Sequence, residues 1–159
     1  KEGRALIIAI NKIDLIAKPE NLKNEITTTL NNSFSEVKRI SIIGISALKA
    51  LNLKQIFKES LKIYDKWSIT IKTSLLNKWL REIIISNPPP LHNGRAVKIK
   101  FISQEKTRPP TINLWVNLID GVPKSYLSFL RNKIYYVFSL WGVPIRFNIK
   151  TTKNPYIKN

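Results

Sequence analysis

Asn11-Lys12-Ile13-Asp14 places an amide, an amine and a carboxylate within four residues, directly after the apolar run Ala5-Leu6-Ile7-Ile8-Ala9-Ile10. That order of groups suits recognition of a guanine base. A carboxylate at the fourth position accepts two hydrogen bonds, one from the ring N–H and one from the exocyclic amine. Adenine lacks that pair of donors and would leave the oxygens of Asp14 unpaired. Asn11 would tie neighbouring loops together and touch the purine edge. Lys12 would lay its apolar stem across the base while its charge stays in water.

Four letters alone also fit a polar loop at the end of a strand. A second loop strengthens the guanine reading. Ile40-Ser41-Ile42-Ile43-Gly44-Ile45 reads as another buried strand and runs into Ser46-Ala47-Leu48. There the backbone N–H of Ala47 would meet the guanine carbonyl oxygen, and Ser46 would brace the loop or Asp14. Two such loops after two apolar strands read as the base-recognition half of a GTPase site.

The elements that must position them follow from spacing. Residues 5–10 form a strand and 11–18 the first loop, and Pro19 suits a first helical turn. Leu22, Ile26, Leu30 and Phe34 recur at helical spacing. Residues 37–45 form the second strand. Asn52 is placed to cap a helix whose inward face would be Leu53, Ile56, Phe57, Leu61 and Tyr64. Strand–helix–strand–helix predicts two parallel strands joined by a crossover. The first strand would then have an open edge. No G-x-x-x-x-G-K-[ST] phosphate loop and no D-x-x-G occurs in the 159 residues. The chain therefore reads as the C-terminal part of a longer protein. It is expected neither to hydrolyse GTP nor to bind nucleotide tightly, because phosphate and Mg²⁺ contacts dominate GTPase affinity.

The formal net charge is +17, from 27 basic and 10 acidic side chains. That excess favours an anionic partner, nucleic acid ahead of membrane. Residues 67–159 hold 15 of the basic and only 3 of the acidic groups, which places a domain boundary near residue 67. With no Cys and one His, thiolate and His-based metal sites are disfavoured and disulfides excluded. No apolar run has the length to span a bilayer and no signal peptide is visible, so a cytoplasmic location is expected.

The second part reads helix–strand–strand–helix–strand. The opening helix covers 73–86, with Leu76, Trp79, Leu80, Ile83 and Ile84 inward, and Asn87-Pro88-Pro89-Pro90 stops it. A strand over 95–103 alternates Val97, Ile99 and Phe101 with Lys98 and Lys100. The next, over 111–119, turns Ile112, Leu114, Val116 and Leu118 to one face. A helix over 124–140 carries Leu127, Leu130, Ile134, Val137, Phe138 and Trp141 inward, with Gly142 as its stop. The last strand, 144–150, buries Ile145, Phe147 and Ile149. Two helices on one face of a three-stranded sheet would leave Lys98, Lys100, Asn113, Trp115, Asn117, Arg146, Asn148 and Lys150 on the other. Cations around an aromatic can hold phosphates and stack a base. A solvated or domain-covered face reads equally well.

These residues resemble the Der (EngA) family, bacterial proteins with two tandem GTPase domains and a C-terminal KH-like domain. The specific matches are Thr73-Ser74-Leu75-Leu76-Asn77-Lys78-Trp79-Leu80, Pro89-Pro90 followed by Gly94-Arg95-Ala96-Val97-Lys98-Ile99-Lys100, and Pro109-Pro110-Thr111. Further along come Ser125-Tyr126-Leu127-Ser128-Phe129-Leu130, Gly142-Val143-Pro144-Ile145-Arg146 and Lys153-Asn154-Pro155-Tyr156. The resemblance implies an α/β plus α+β chain. Residues 1–66 would be the end of a P-loop-type GTPase domain, with two parallel strands and two helices. Residues 67–159 would be the KH-like domain. It further implies GTP or GDP as ligand, with Mg²⁺ in the full-length protein, and Asn11, Lys12, Asp14, Ser46 and Ala47 as guanine contacts. The implied partners are the large ribosomal subunit or rRNA and the remaining GTPase domains, and the implied role is ribosome assembly. No catalytic or metal-binding residue can be assigned. The G-x-x-G loop of RNA-binding KH domains is absent, which leaves room for a domain that docks on its neighbours or regulates them. A stand-alone basic RNA-binding module is the alternative function.

Overall fold

The computed structural model describes residues 3–33 and 37–151. Phe34 and the Lys153-Asn154-Pro155-Tyr156 motif lie outside the described residues.

Strands β1 (Ile7–Ile10) and β2 (Ser41–Gly44) pair in parallel, with Ile7 opposite Ser41 and Ile10 opposite Gly44. Helix α1 (Pro19–Ser33) connects them and α2 (Leu53–Trp67) follows β2. Parallel pairing forces such a crossover, because a short turn cannot return the chain to the same end. Among the described residues β1 has no strand on its other edge. The inward face of α2 differs from the sequence expectation. Ile63 is its buried residue, whereas Phe57, Leu61 and Tyr64 are 72%, 67% and 49% exposed.

Helix α3 (Thr73–Ser86) occupies the expected range and buries Leu76, Trp79 and Leu80. Strands β3 (Ile99–Lys106), β4 (Thr111–Val116) and β5 (Arg146–Thr151) form a sheet in that order. The first pair is antiparallel and the second parallel. Helix α4 (Lys124–Val137) supplies Tyr126, Leu130, Ile134 and Tyr135 to the core that α3 and the sheet enclose. Val137, expected inside, is exposed. The chain leaves α4 through Ser139, at φ 52°, so the stop precedes Gly142.

Strand β3 starts later than expected and runs further. The Asn117 side chain accepts from Lys98 N at 2.7 Å and donates to Ala96 O at 2.9 Å, taking the place of a strand ladder over 96–98. A register shift between Ile99 and Phe101 then changes the facing of the strand. Ile102 is fully buried, and Phe101, expected inside, is exposed opposite Trp115.

Candidate functional site

The two loops predicted to read guanine meet at the C-terminal ends of β1 and β2, where open parallel sheets place their ligand crevices. Backbone bonds stitch them together. Ile45 N donates to Ile10 O at 2.7 Å and Ile13 N to Ile45 O at 2.9 Å. Asn11 Oδ1 accepts from Lys12 N at 2.8 Å and from Ala47 N at 3.1 Å. The asparagine thus ties the loops together, and it also occupies the Ala47 N–H.

Asp14 sits between the loops with its side chain 9% exposed. A hydrogen bond from Ser46 holds its carboxyl below the ordinary carboxylate range, and Lys49 reinforces this by hydrogen bonding and by charge. The Lys49 Nζ–Asp14 Oδ2 distance is 3.2 Å. Lys49 was not among the expected site residues. The available signal was its place immediately after Ser46-Ala47-Leu48. Ser46 is 1% exposed and its Oγ accepts from Lys49 N at 3.1 Å.

Backbone conformation at this site is costly. Lys12, Ala50 and Asn52 are non-glycine residues at φ 60°, 51° and 59°. Such residues persist where the surroundings over-determine them, and they concentrate at ligand sites. Asn52 is the N-cap residue of α2, but its side chain makes no cap bond. Its Nδ2 instead donates to Gly44 O at 2.8 Å, joining the second loop to the strand that bears it. Gly44 has a separate reason to be glycine, since a Cβ there would lie 2.7 Å from Ile13 Cγ1.

The sheet face opposite the helices is built differently from a plain basic surface. Trp115 stands between Phe101 on β3 and Lys150 on β5, with Lys150 Nζ 5.8 Å from the indole centroid. On it lies Glu105, in the polar stretch between the predicted strands 95–103 and 111–119. Lys150 Nζ is 3.3 Å from Glu105 Oε1, and Asn148 Nδ2 donates to Oε2 at 3.1 Å. The Asn113 amide fits between them, donating to Glu105 at 2.9 Å and accepting from Lys150 at 3.0 Å. Lys150, then Asn148, holds the Glu105 carboxyl below its ordinary value. Asn113 is buried and Asn117 is engaged by backbone, so neither is a free surface amide. Lys98, Lys100, Arg146 and Asn148 are exposed around this centre. Among the described residues no cluster of three or more His, Asp or Glu side chains could hold a metal ion, and no helix is long and apolar enough to cross a membrane.

A parallel strand pair with two interlocked loops, joined to a mixed three-stranded sheet under two helices, defines a piece of a P-loop-type domain followed by a KH-like domain. Residues 70–150 match the family described as the KH-domain-like region of EngA bacterial GTPase enzymes, C-terminal. The chain is 39% identical over 159 residues to GTPase Der of Rickettsia akari (strain Hartford), covering 98% of this chain and 36% of that protein. It is 36% identical over 158 residues to GTPase Der of Novosphingobium aromaticivorans, covering 99% of this chain and 34% of that one. The chain belongs to the Der (EngA) family, and it spans about a third of the length of these relatives.

Proposed function

We propose that this chain is part of a cytoplasmic GTP-binding protein acting in assembly of the large ribosomal subunit. In this reading residues 3–66 recognise guanine and the KH-like part makes contacts with RNA, the ribosome or neighbouring domains. The observation that carries the guanine reading is the nearly buried Asp14 carboxylate, held between the two loops by Ser46 and paired with Lys49. The groups suit the base: a carboxylate for the ring N–H and amine, and the Ala47 N–H for the carbonyl once Asn11 Oδ1, which accepts from it here, gives it up. They do not fit Mg²⁺ or phosphates, whose motifs are absent from the sequence. A boundary near residue 67 is supported by the end of α2 at Trp67 and by the family match beginning at residue 70.

Docking on the remaining GTPase domains is supported by the open edge of β1 and the exposed Phe57, Leu61 and Tyr64. It is also the better reading of the sheet face. The Phe101–Trp115 pair and the internally neutralised Glu105 suit a protein partner more than a polyphosphate.

The test exploits base chemistry. Xanthine carries a second carbonyl where guanine has its amine, and an Asn amide complements it where a carboxylate does not. Chemical shifts of the Asp14 and Ala47 amides should respond to GMP and not to AMP, with a dissociation constant on the order of millimolar. Asp14→Asn should transfer the response to XMP. Equal responses to AMP and GMP would overturn the reading.

A further inference from the structure

A second cleft, remote from the guanine loops, lies where the turn before β2 meets the end of α4. Gly142 N donates to Lys38 O at 2.8 Å, and Gly142 packs on Ile63, so the two parts of the chain are in direct contact here. Arg39 adopts φ 53° without being glycine, a conformation that costs energy. Its guanidinium lies 4.2 Å from the Trp141 ring centroid and 5.7 Å from that of Tyr136. Trp141 stacks on buried Tyr135 at 5.4 Å and 20°. Tyr136 meets Trp141 edge-on at 4.8 Å and 87°, yet is 64% exposed. Together with Lys38 and Asn132 these side chains line a cleft of about 280 Å³.

The lining combines flat π-surfaces with two cations and an amide, and none of the five residues is acidic. An apolar partner would bury Lys38 and Arg39 without counter-charge. An acidic aliphatic partner would leave the exposed tyrosine face unused. A nucleotide uses both, with its base on the ring and its phosphate on the cations. On the outer sheet face the lysine beside the indole, Lys150, is already paired with Glu105.

We propose that the Lys38–Arg39–Tyr136–Trp141 cleft binds an unpaired nucleotide of single-stranded RNA, the base stacking on Tyr136 and the phosphate held by Lys38 and Arg39. This rests on the RNA-contact part of the proposed function but assigns the contact to the domain junction. Duplex RNA, whose bases are already stacked, uses only the cations.

The test measures anisotropy of a fluorescein-labelled twelve-nucleotide oligouridine with the full chain. Tyr136→Ala removes an exposed ring, and Arg39→Gly removes the guanidinium while keeping the backbone conformation. Tyr136→Ala should weaken single-strand binding ~5- to 150-fold, the range for loss of one base stack, and Arg39→Gly ~10- to 150-fold, as for loss of a hydrogen bond to a charged group. Tyr136→Phe should bind like wild type, and duplex affinity should be indifferent to Tyr136→Ala. Replacing Lys98 and Lys100 together by Gln should weaken binding less than Arg39→Gly does. Unchanged affinity of Tyr136→Ala would overturn the proposal, as would an equal loss in the Lys98/Lys100 variant. So would an Arg39→Gly variant that unfolds at lower temperature yet binds RNA normally, since the arginine would then be only a structural staple. The GMP response at Ala47 should survive in every variant, so failure here leaves the guanine reading standing.

Discussion

Gly44→Ala is the sharpest perturbation of the loops proposed to read guanine, because the residue it disturbs belongs to the motif itself. The added Cβ would lie 2.7 Å from Ile13 Cγ1, 2.9 Å from Cδ1 and 3.4 Å from Cβ. The third is ordinary van der Waals contact, so relief requires Ile13 to leave its rotamer, or its backbone to move, next to Asp14. Overpacking of this kind costs about 1–3 kcal/mol. The cost should register in the bonds that stitch the loops, Ile45 N to Ile10 O and Ile13 N to Ile45 O. Hydrogen exchange at these two amides should accelerate ~5- to 150-fold, since each 1.4 kcal/mol is a factor of ten. Amides in the β3–β4–β5 sheet should be unaffected. Ile13→Ala removes both Cγ1 and Cδ1, so the Gly44→Ala change should cost far less in that background. Strict additivity of the two changes, or unaltered exchange in Gly44→Ala, would refute the argument that Ile13 packing requires glycine at position 44.

Two further predictions concern the same loops. Ala50 sits at φ 51°, so Ala50→Gly should stabilise the chain by about 1 kcal/mol, read as a higher thermal midpoint; a lower midpoint would contradict the assigned strain. Asp14 has a depressed pKa in the fold, so its contribution is present above the ordinary value of 3.8 and is lost as pH falls through the lower folded value. Amide protection in the loops of wild type should therefore drop in that acidic window, and Asp14→Asn should flatten this dependence. A wild-type and variant profile of the same shape would exclude Asp14 as the titrating group.

Regular periodicity was legible, and long-range side-chain bonding was not. Helix α3 shows its boundaries because an apolar stripe ends at a run of prolines. The start of β3 was misplaced because Asn117, nineteen residues from Lys98, substitutes for a ladder there. Two other amides do similar work. Asn77 on α3 donates to Ile102 O at 2.8 Å and accepts from Ile102 N at 3.2 Å. Gln104 bonds Ile71 N and Ile69 O, both at 2.8 Å, anchoring the segment between α2 and α3 to the sheet. No local pattern marks an amide for such use, since its partner is set by the fold. The same reasoning explains the site. Asn11, Asp14 and Ser46 are contiguous with their strands and could be read, and the fold brings them together. Glu105 looked like part of a polar turn because its partners lie on β5, more than forty residues away.

Helix α2 misleads in a more informative way. Phe57, Leu61 and Tyr64 recur at the spacing of a buried stripe, yet the residue of α2 that is buried is Ile63, on a different face. Hydrophobic spacing reports what a helix is shaped to cover, and that surface need not belong to the same 159 residues. An apolar stripe this exposed is unusual on a finished surface, and it accompanies a strand edge that is unpaired among the described residues. One further sheet layer would satisfy both at once, by adding strands to β1 and laying their side chains under the outer face of α2. Relatives about three times as long have ample chain to supply it. On the proposed reading, the exposed face of α2 and the open edge of β1 are the surfaces that the rest of the GTPase domain would cover.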